Sequence, residues 1–183
     1  MDKIKFGPAK EVYKGIIFDI HQKEAVLPNG DKKIFEFCLR PDSVTILPFD
    51  EKGRLVLIRE YRHSYNGGKY MWFLPAGRID ENEKPIAAAK REMREEIGMG
   101  AKVIKKIYKK TALGSMIWNW HVFAAKDLYP APLTGDESFK IEAVPTPLQK
   151  AVQMAIDGTI EHQHMAYHII RFNYMLKHGE FKW

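Results

Sequence analysis

The sequence predicts a mixed α/β sandwich with an antiparallel β region on its N-terminal side. Three observations predict it. Short β-rich segments separated by turn residues fill the stretch before residue 43. Nearly continuous apolar runs at 44–49 and 55–58 suit strands covered on both faces. Helical periodicity appears after residue 85 and again near the C-terminus. Strands on either side of helices in 183 residues fit one globular domain of α/β or α+β type, here 43–183, preceded by a β region at 1–42.

Taken in order, Val12 to Ile20 reads as one β-rich segment. Leu27-Pro28-Asn29-Gly30-Asp31 then supplies a turn before Lys33 to Leu39 returns. Ser43 to Phe49 and Arg54 to Arg59 read as a second antiparallel pair around Asp50-Glu51-Lys52-Gly53. Tyr70 to Leu74 is a short buried strand that ends at Pro75-Ala76-Gly77. A helix is expected from Pro85, a residue suited to the first helical turn, to Ile97, with Gly98 as its stop. Val103 to Tyr108 and Met116 to Ala124 read as strands. Helices are expected at Pro147 to Ile156 and Glu161 to Leu176, broken at Asp157-Gly158.

Composition narrows the class. Hydrophobic residues are 45% and charged residues 28%, ordinary for a chain that buries a core. No run approaches the roughly 18 apolar residues that cross a bilayer, and the N-terminus shows no signal-peptide pattern. The expectation is therefore a cytoplasmic protein without a membrane partner. Cys38 is the single cysteine and sits in a strand-like run, where core packing accounts for it. The net charge of +6 comes from scattered lysines such as Lys32-Lys33, Lys105-Lys106 and Lys109-Lys110. They form no block and no aromatic–basic recognition motif, so no nucleic-acid partner is expected.

The chemistry concentrates between Gly77 and Met99. On a helix, residues three and four apart share a face, so Glu92, Glu95 and Glu96 converge into one acidic cluster. Ile86, Ala89, Met93 and Ile97 form an apolar stripe facing the core. Like charges at this spacing repel unless compensated. Arg91 can compensate by reaching Glu95, and a divalent cation does so better. Grouped carboxylate oxygens suit magnesium or manganese more than zinc. A solvated surface helix laced with Arg–Glu pairs is the plain alternative.

The spacing decides between them. Gly77, Glu83, the Arg91-Glu92 pair, apolar Met93, the Glu95-Glu96 pair, Gly98 and apolar Met99 match the Nudix box at each defining position. The chain is similar to the Nudix branch that includes ADP-ribose pyrophosphatases and related nucleoside diphosphate sugar hydrolases. Val12-Tyr13-Lys14-Gly15, Leu57-Ile58-Arg59-Glu60-Tyr61-Arg62, Trp72-Phe73-Leu74-Pro75-Ala76-Gly77 and the segment from Gln149 to Gly158 resemble it outside the box.

This resemblance implies an α/β/α Nudix sandwich with a mixed sheet. It implies a magnesium-dependent hydrolase, with manganese a possible substitute, that cuts the diphosphate of nucleoside diphosphate sugars such as ADP-ribose. Glu92 and Glu96 are implied as principal metal ligands, Glu95 as a further one and the Ala76 carbonyl as completing the site. Glu95 and Arg91 belong to the implied catalytic set. Glu137, in the loop from Pro132 to Lys140, is implied as the base, with Asp136 in reserve. Arg62 is expected to hold a phosphate through its bidentate donors. Arg40 is a further substrate-side residue, and Phe35, with Phe18, is a candidate to stack a base in a homodimer cleft, against core packing as the plainer reading of each ring.

One departure bears on the substrate. The proline that ADP-ribose pyrophosphatases often carry after the box is missing from Thr111 to Trp120. Trp118 and Trp120 are read there as strand packing, with stacking on a ligand as the alternative. A hydrolase of nucleoside triphosphates or dinucleoside polyphosphates, and a non-catalytic Nudix-like sensor, are the rival readings. His162, His164 and His168 are read as ordinary polar positions of the last helix.

Overall fold

The computed structural model describes residues 3–64, 67–112, 114–135 and 139–183. In chain order the elements are β1 (Lys5–Phe6), β2 (Lys10–Lys14), β3 (Asp19–Val26), β4 (Lys32–Leu39), β5 (Ser43–Pro48), β6 (Leu55–Ser64), β7 (Gly67–Phe73), β8 (Ala76–Arg78), α1 (Pro85–Glu96), β9 (Met99–Thr111), β10 (Met116–Ile117), β11 (Asn119–Pro130), β12 (Glu142–Thr146), α2 (Leu148–Ile156) and α3 (Gln163–Lys177). This is the expected mixed α/β architecture. The chain forms two compact units, 1–42 with 110–120, and 43–109 with 121–183. Residues 110–120 fall within 43–183 in sequence but cluster with 1–42. Among the described residues no helix is long and apolar enough to cross a membrane.

In the first unit, β3 is the pivot. It pairs antiparallel with β1, β2 and β4, and β10 adds to β4 in parallel. The β-rich segment Val12 to Ile20 is divided between β2 and β3. Gly15 donates to the Phe18 carbonyl at 3.1 Å, and the chain reverses there between β2 and β3. The turn at Leu27 to Asp31 is where it was expected, with Gly30 at φ +88° and its N–H bonded to the Leu27 carbonyl. Left-handed φ costs glycine little, which is why it sits there.

In the second unit, one sheet runs β8-β5-β11-β9 and another β12-β6-β7. The expected hairpin of Ser43–Phe49 with Arg54–Arg59 is not formed. Phe49 and Leu55 make one antiparallel bridge, and then β5 and β6 diverge into separate sheets. Apolar runs specify burial but not the neighbouring strand, and β8 and β12 take those places. β7 is also less buried than expected, with its first four residues exposed and Phe73 buried. Val44, Ile46, Ala88, Ala89, Met93, Phe123 and Ala125 form the core between α1 and the first of these sheets.

α1 starts with Pro85 in its first turn and ends where Ile97 caps onto the Met93 carbonyl; Gly98 follows at φ +69°. Its buried face holds three residues of the expected stripe, Ala89, Met93 and the partly buried Ile97, but not the fourth. Ala88, Ala89 and Met93 are buried together with Glu92 and Glu96, whereas Ile86 is 37% exposed. Small alanines let the helix lie close to β5, which leaves the larger Ile86 at the rim. His168, expected at an ordinary polar position, is 1% exposed. Its Nδ1 shares a 2.8 Å hydrogen bond with the Tyr108 hydroxyl.

Candidate active site

The acidic face of α1 packs against the turn leading into β8. Glu96 Oε2 accepts the Ala76 N–H at 2.9 Å, which fixes that carboxylate at the Pro75–Gly77 turn. The Glu92 carboxylate lies against the Gly77 α-carbon, where a Cβ would come within 2.0 Å of it. Glycine is required there because any side chain would occupy the carboxylate's place. Glu92 and Glu96 are 8% and 5% exposed. Glu92 and Glu96 are therefore not on a solvated face, although the Arg–Glu pairing of the plain alternative is present.

Arg91 is the common partner. Its Nη1 donates to Glu92 Oε1 at 2.7 Å and to Glu95 Oε2 at 2.9 Å. Its Nε and Nη2 donate to the two Glu83 oxygens at 3.1 and 3.0 Å, and Nη2 also reaches the Arg78 carbonyl. The hydrogen bond to Glu83 is the main force holding the guanidinium even further on its charged side than usual. In return, Arg91 holds the Glu83 carboxyl below the usual carboxylate range. Glu83 had been noted only as a position in the pattern; its role as an anchor for Arg91 emerges from the fold.

Among the described residues no group of three or more His, Cys, Asp or Glu stands as a preformed metal cage. The donor set nevertheless fits a hard divalent cation. Glu83, Glu92 and Glu95 share the one guanidinium of Arg91, and Glu96 stands one helical turn from Glu92, bonded to the Ala76 N–H, so carboxylates outnumber the cation they share. The oxygens are carboxylate, with the Ala76 backbone beside Glu96. Of the expected residues, Ala76, Arg91, Glu92, Glu95 and Glu96 are thus brought together.

The others stand elsewhere. Arg62, on β6, donates Nε to Glu60 Oε1 at 2.6 Å and lies over the Phe73 ring at 5.2 Å. Glu60 is buried and was not anticipated. Its signal was a lone acid in the apolar run Leu55 to Arg62, two residues before Arg62 and so on the same strand face. In the first unit, Arg40 stacks over Trp118 at 5.0 Å and over Phe18 at 5.8 Å. Burial lowers its pKa from the ordinary guanidinium value. Phe35 meets Phe6 edge to face at 5.6 Å, so the two candidate stacking rings have different neighbours within the chain. Trp118, between β10 and β11, is buried and meets Trp120 edge to face. Glu137 and Asp136 lie outside the described residues.

Comparison with known proteins adds to this geometry. A family profile described as the NUDIX domain matches residues 39–158. The chain is 30% identical over 150 residues to the ADP compounds hydrolase NudE of Escherichia coli, covering 80% of this chain and 78% of that one. It is 28% identical over 122 residues to the ADP-ribose pyrophosphatase of Bacillus subtilis, covering 65% of this chain and 64% of that one. It is 30% identical over 134 residues to the ADP-ribose pyrophosphatase of Mycobacterium tuberculosis, covering 73% and 55%. The matched stretch thus spans less than two thirds of either pyrophosphatase. A crystal structure of an ADP compounds hydrolase superposes with a TM-score of 0.81 at 25% identity, covering 99% of this chain and 98% of that one.

Proposed function

The chain belongs to the Nudix family, and on that premise we propose that it is a magnesium-dependent hydrolase of nucleoside diphosphate sugars such as ADP-ribose. The observation that carries this reading is the buried cluster in which Arg91 gathers Glu83, Glu92 and Glu95 beside the Glu96–Ala76 contact. Similarity to proteins named for ADP-ribose and ADP compounds supports the substrate class.

Glu92 and Glu96 are the principal ligands for the ion, Glu95 a further one, and the Ala76 carbonyl completes the set. When bound there, magnesium, or manganese in its place, would neutralise charge on the diphosphate and make the attacking water more acidic. Arg91 holds Glu92 and Glu95 aimed through its hydrogen bonds, so their oxygens need no reordering during the reaction. Glu137 takes a proton from the attacking water, with Asp136 in reserve. Water oxygen bonds to one phosphorus as the bridging oxygen leaves on the other phosphate. The products are a nucleoside monophosphate and a sugar phosphate. Arg62 offers to a phosphate oxygen the guanidinium N–H groups that Glu60 does not take. Arg40, Phe35 and Phe18 serve the nucleoside side.

A homodimer is part of the proposal. Tyr13, Ile16, Ile17, Phe18 and Ile34, all before residue 43, are exposed apolar residues of the kind a second copy covers. The protein acts in the cytoplasm on a small-molecule substrate, with no nucleic-acid or membrane partner.

Incubation of ADP-ribose, a second nucleoside diphosphate sugar and a nucleoside triphosphate with magnesium tests the reading. Both diphosphate sugars are expected to be cleaved with comparable efficiency, and phosphate should be detected only after adding a phosphatase. Preferential cleavage of the triphosphate, with direct release of pyrophosphate, overturns it.

A further inference from the structure

The Glu60–Arg62 pair lies outside the α1 cluster, and its cost calls for an account. β6 is the central strand of its sheet, flanked by β12 and β7. Leu57 and Ile58 just before Glu60 are fully buried. Glu60 follows them at 2% exposure. Its side chain is 3% exposed, whereas that of Arg62 is 44% exposed. Removing a carboxylate from water is expensive, and a buried ion pair is on average no more stabilising than apolar residues of the same volume. An acid here is therefore poorly explained by stability alone.

The geometry of the pair is one-sided. Glu60 Oε1 takes both Nε and Nη2 of Arg62. Nη1 takes no part in this pair, and it is the corner of the fork a ligand would meet. The Phe73 ring beneath the guanidinium restricts its tilt. Phe73 ends β7, two residues ahead of Pro75 and the turn that carries Ala76 and Gly77. The held face of Arg62 is thereby tied to the strand that leads into the glutamate cluster.

The charge balance also matters. A free guanidinium attracts every anion in proportion to its charge, but one paired with a buried carboxylate offers directed donors and little net charge. Such a pair binds a phosphate oxygen by hydrogen bonding and gives no extra attraction to a more highly charged phosphate chain. Negative charge at Glu60 opposes that further charge directly.

We propose that Glu60 is a positioning residue that fixes Arg62 for a substrate phosphate and, through its own charge, selects the diphosphate bridge of a nucleoside diphosphate sugar over tri- and polyphosphates. This rests on the reading of Arg62 as the phosphate-holding residue.

Steady-state kinetics with ADP-ribose and ATP, on variants whose melting temperatures are first compared with wild type, tests both layers. Arg62→Gln should raise KM for ADP-ribose at least about tenfold. If KM does not move, Arg62 does not hold substrate and the proposal falls with it. Glu60→Gln keeps the shape and removes the charge. It should lower kcat for ADP-ribose about tenfold and raise the ATP to ADP-ribose ratio of kcat/KM about tenfold. Glu60→Asp keeps the charge and shortens the reach, so kcat should fall while that ratio stays at its wild-type value. It also carries the test should Glu60→Gln fail to fold. If Arg62→Gln raises KM but Glu60→Gln leaves the ratio unchanged, or Glu60→Asp alters it, Glu60 is structural and the proposal is wrong.

Discussion

In the unit of residues 43–109 and 121–183, Val44, Ile46, Leu47, Leu55 and Leu57 have no exposed surface. The unit of residues 1–42 and 110–120 is built differently. Its β2 is exposed along its whole length, and Ile16, Ile34 and Tyr13 are 96%, 66% and 61% exposed. A fully packed interior holds side chains in one arrangement, which a site with buried carboxylates needs. An open sheet with apolar residues on its surface gains from being covered. In the function proposed above, the packed unit carries the glutamate cluster and the open unit the contact with a second copy.

The largest effect is expected where the packed unit carries charge. Glu96→Gln should lower turnover at least about a hundredfold at saturating magnesium while the protein stays folded. Turnover within a few-fold of wild type would remove Glu96 from the metal site. Gly77→Ala comes next, because its Cβ would fall 2.0 Å from the Glu92 carboxyl group. Overpacking of this kind costs about 1–3 kcal/mol, and displacing Glu92 should cost about tenfold or more in turnover. Calorimetry and kinetics on the one variant check both.

A third prediction concerns His168, which burial above all, and then the charges of His164, His162 and Arg171, push down to a pKa of about 3 from 6.5. In the folded protein His168 is neutral, while the unfolded chain takes up a proton below about pH 6.5. The stability it contributes is therefore complete above pH 6.5 and is lost as pH falls from there toward about 3. The slope approaches about 1.4 kcal/mol per pH unit for one proton. Urea unfolding at pH 7, 6, 5 and 4 should show a shallower loss in His168→Phe than in wild type. Equal slopes would contradict it.

The smallest effect on the folded chain is expected in the open unit. Ile16→Glu or Ile34→Glu should change the stability of one chain by no more than about 0.5 kcal/mol, as exposed positions do. Light scattering at micromolar concentration should nonetheless drop from about twice the chain mass of 21.2 kDa toward that mass. A wild-type protein that is already monomeric and fully active would break the contrast.

What the sequence made legible was local. The convergence of Glu92, Glu95 and Glu96 follows from 3.6 residues per turn, and α1 begins at Pro85 as expected. The requirement for Gly77 could not be read locally, because it depends on a helix side chain packed against a turn fifteen residues earlier. The partner of β5 was misread for a related reason. Apolar runs state that a strand is buried but not which strand lies beside it. Glu60 and His168 were passed over because their meaning lies in burial, and a single polar residue in an apolar run gives no sign of its depth. Glu137 lies outside the described residues, so its place rests on resemblance alone.

The central claim is that the buried glutamates of α1 hold the divalent ion. Manganese titrated into the protein, with the free ion read by electron paramagnetic resonance, tests it most directly. The account predicts binding by wild type that is lost in a Glu92→Gln, Glu96→Gln double variant of unchanged fold. Equal binding by the two proteins would contradict it.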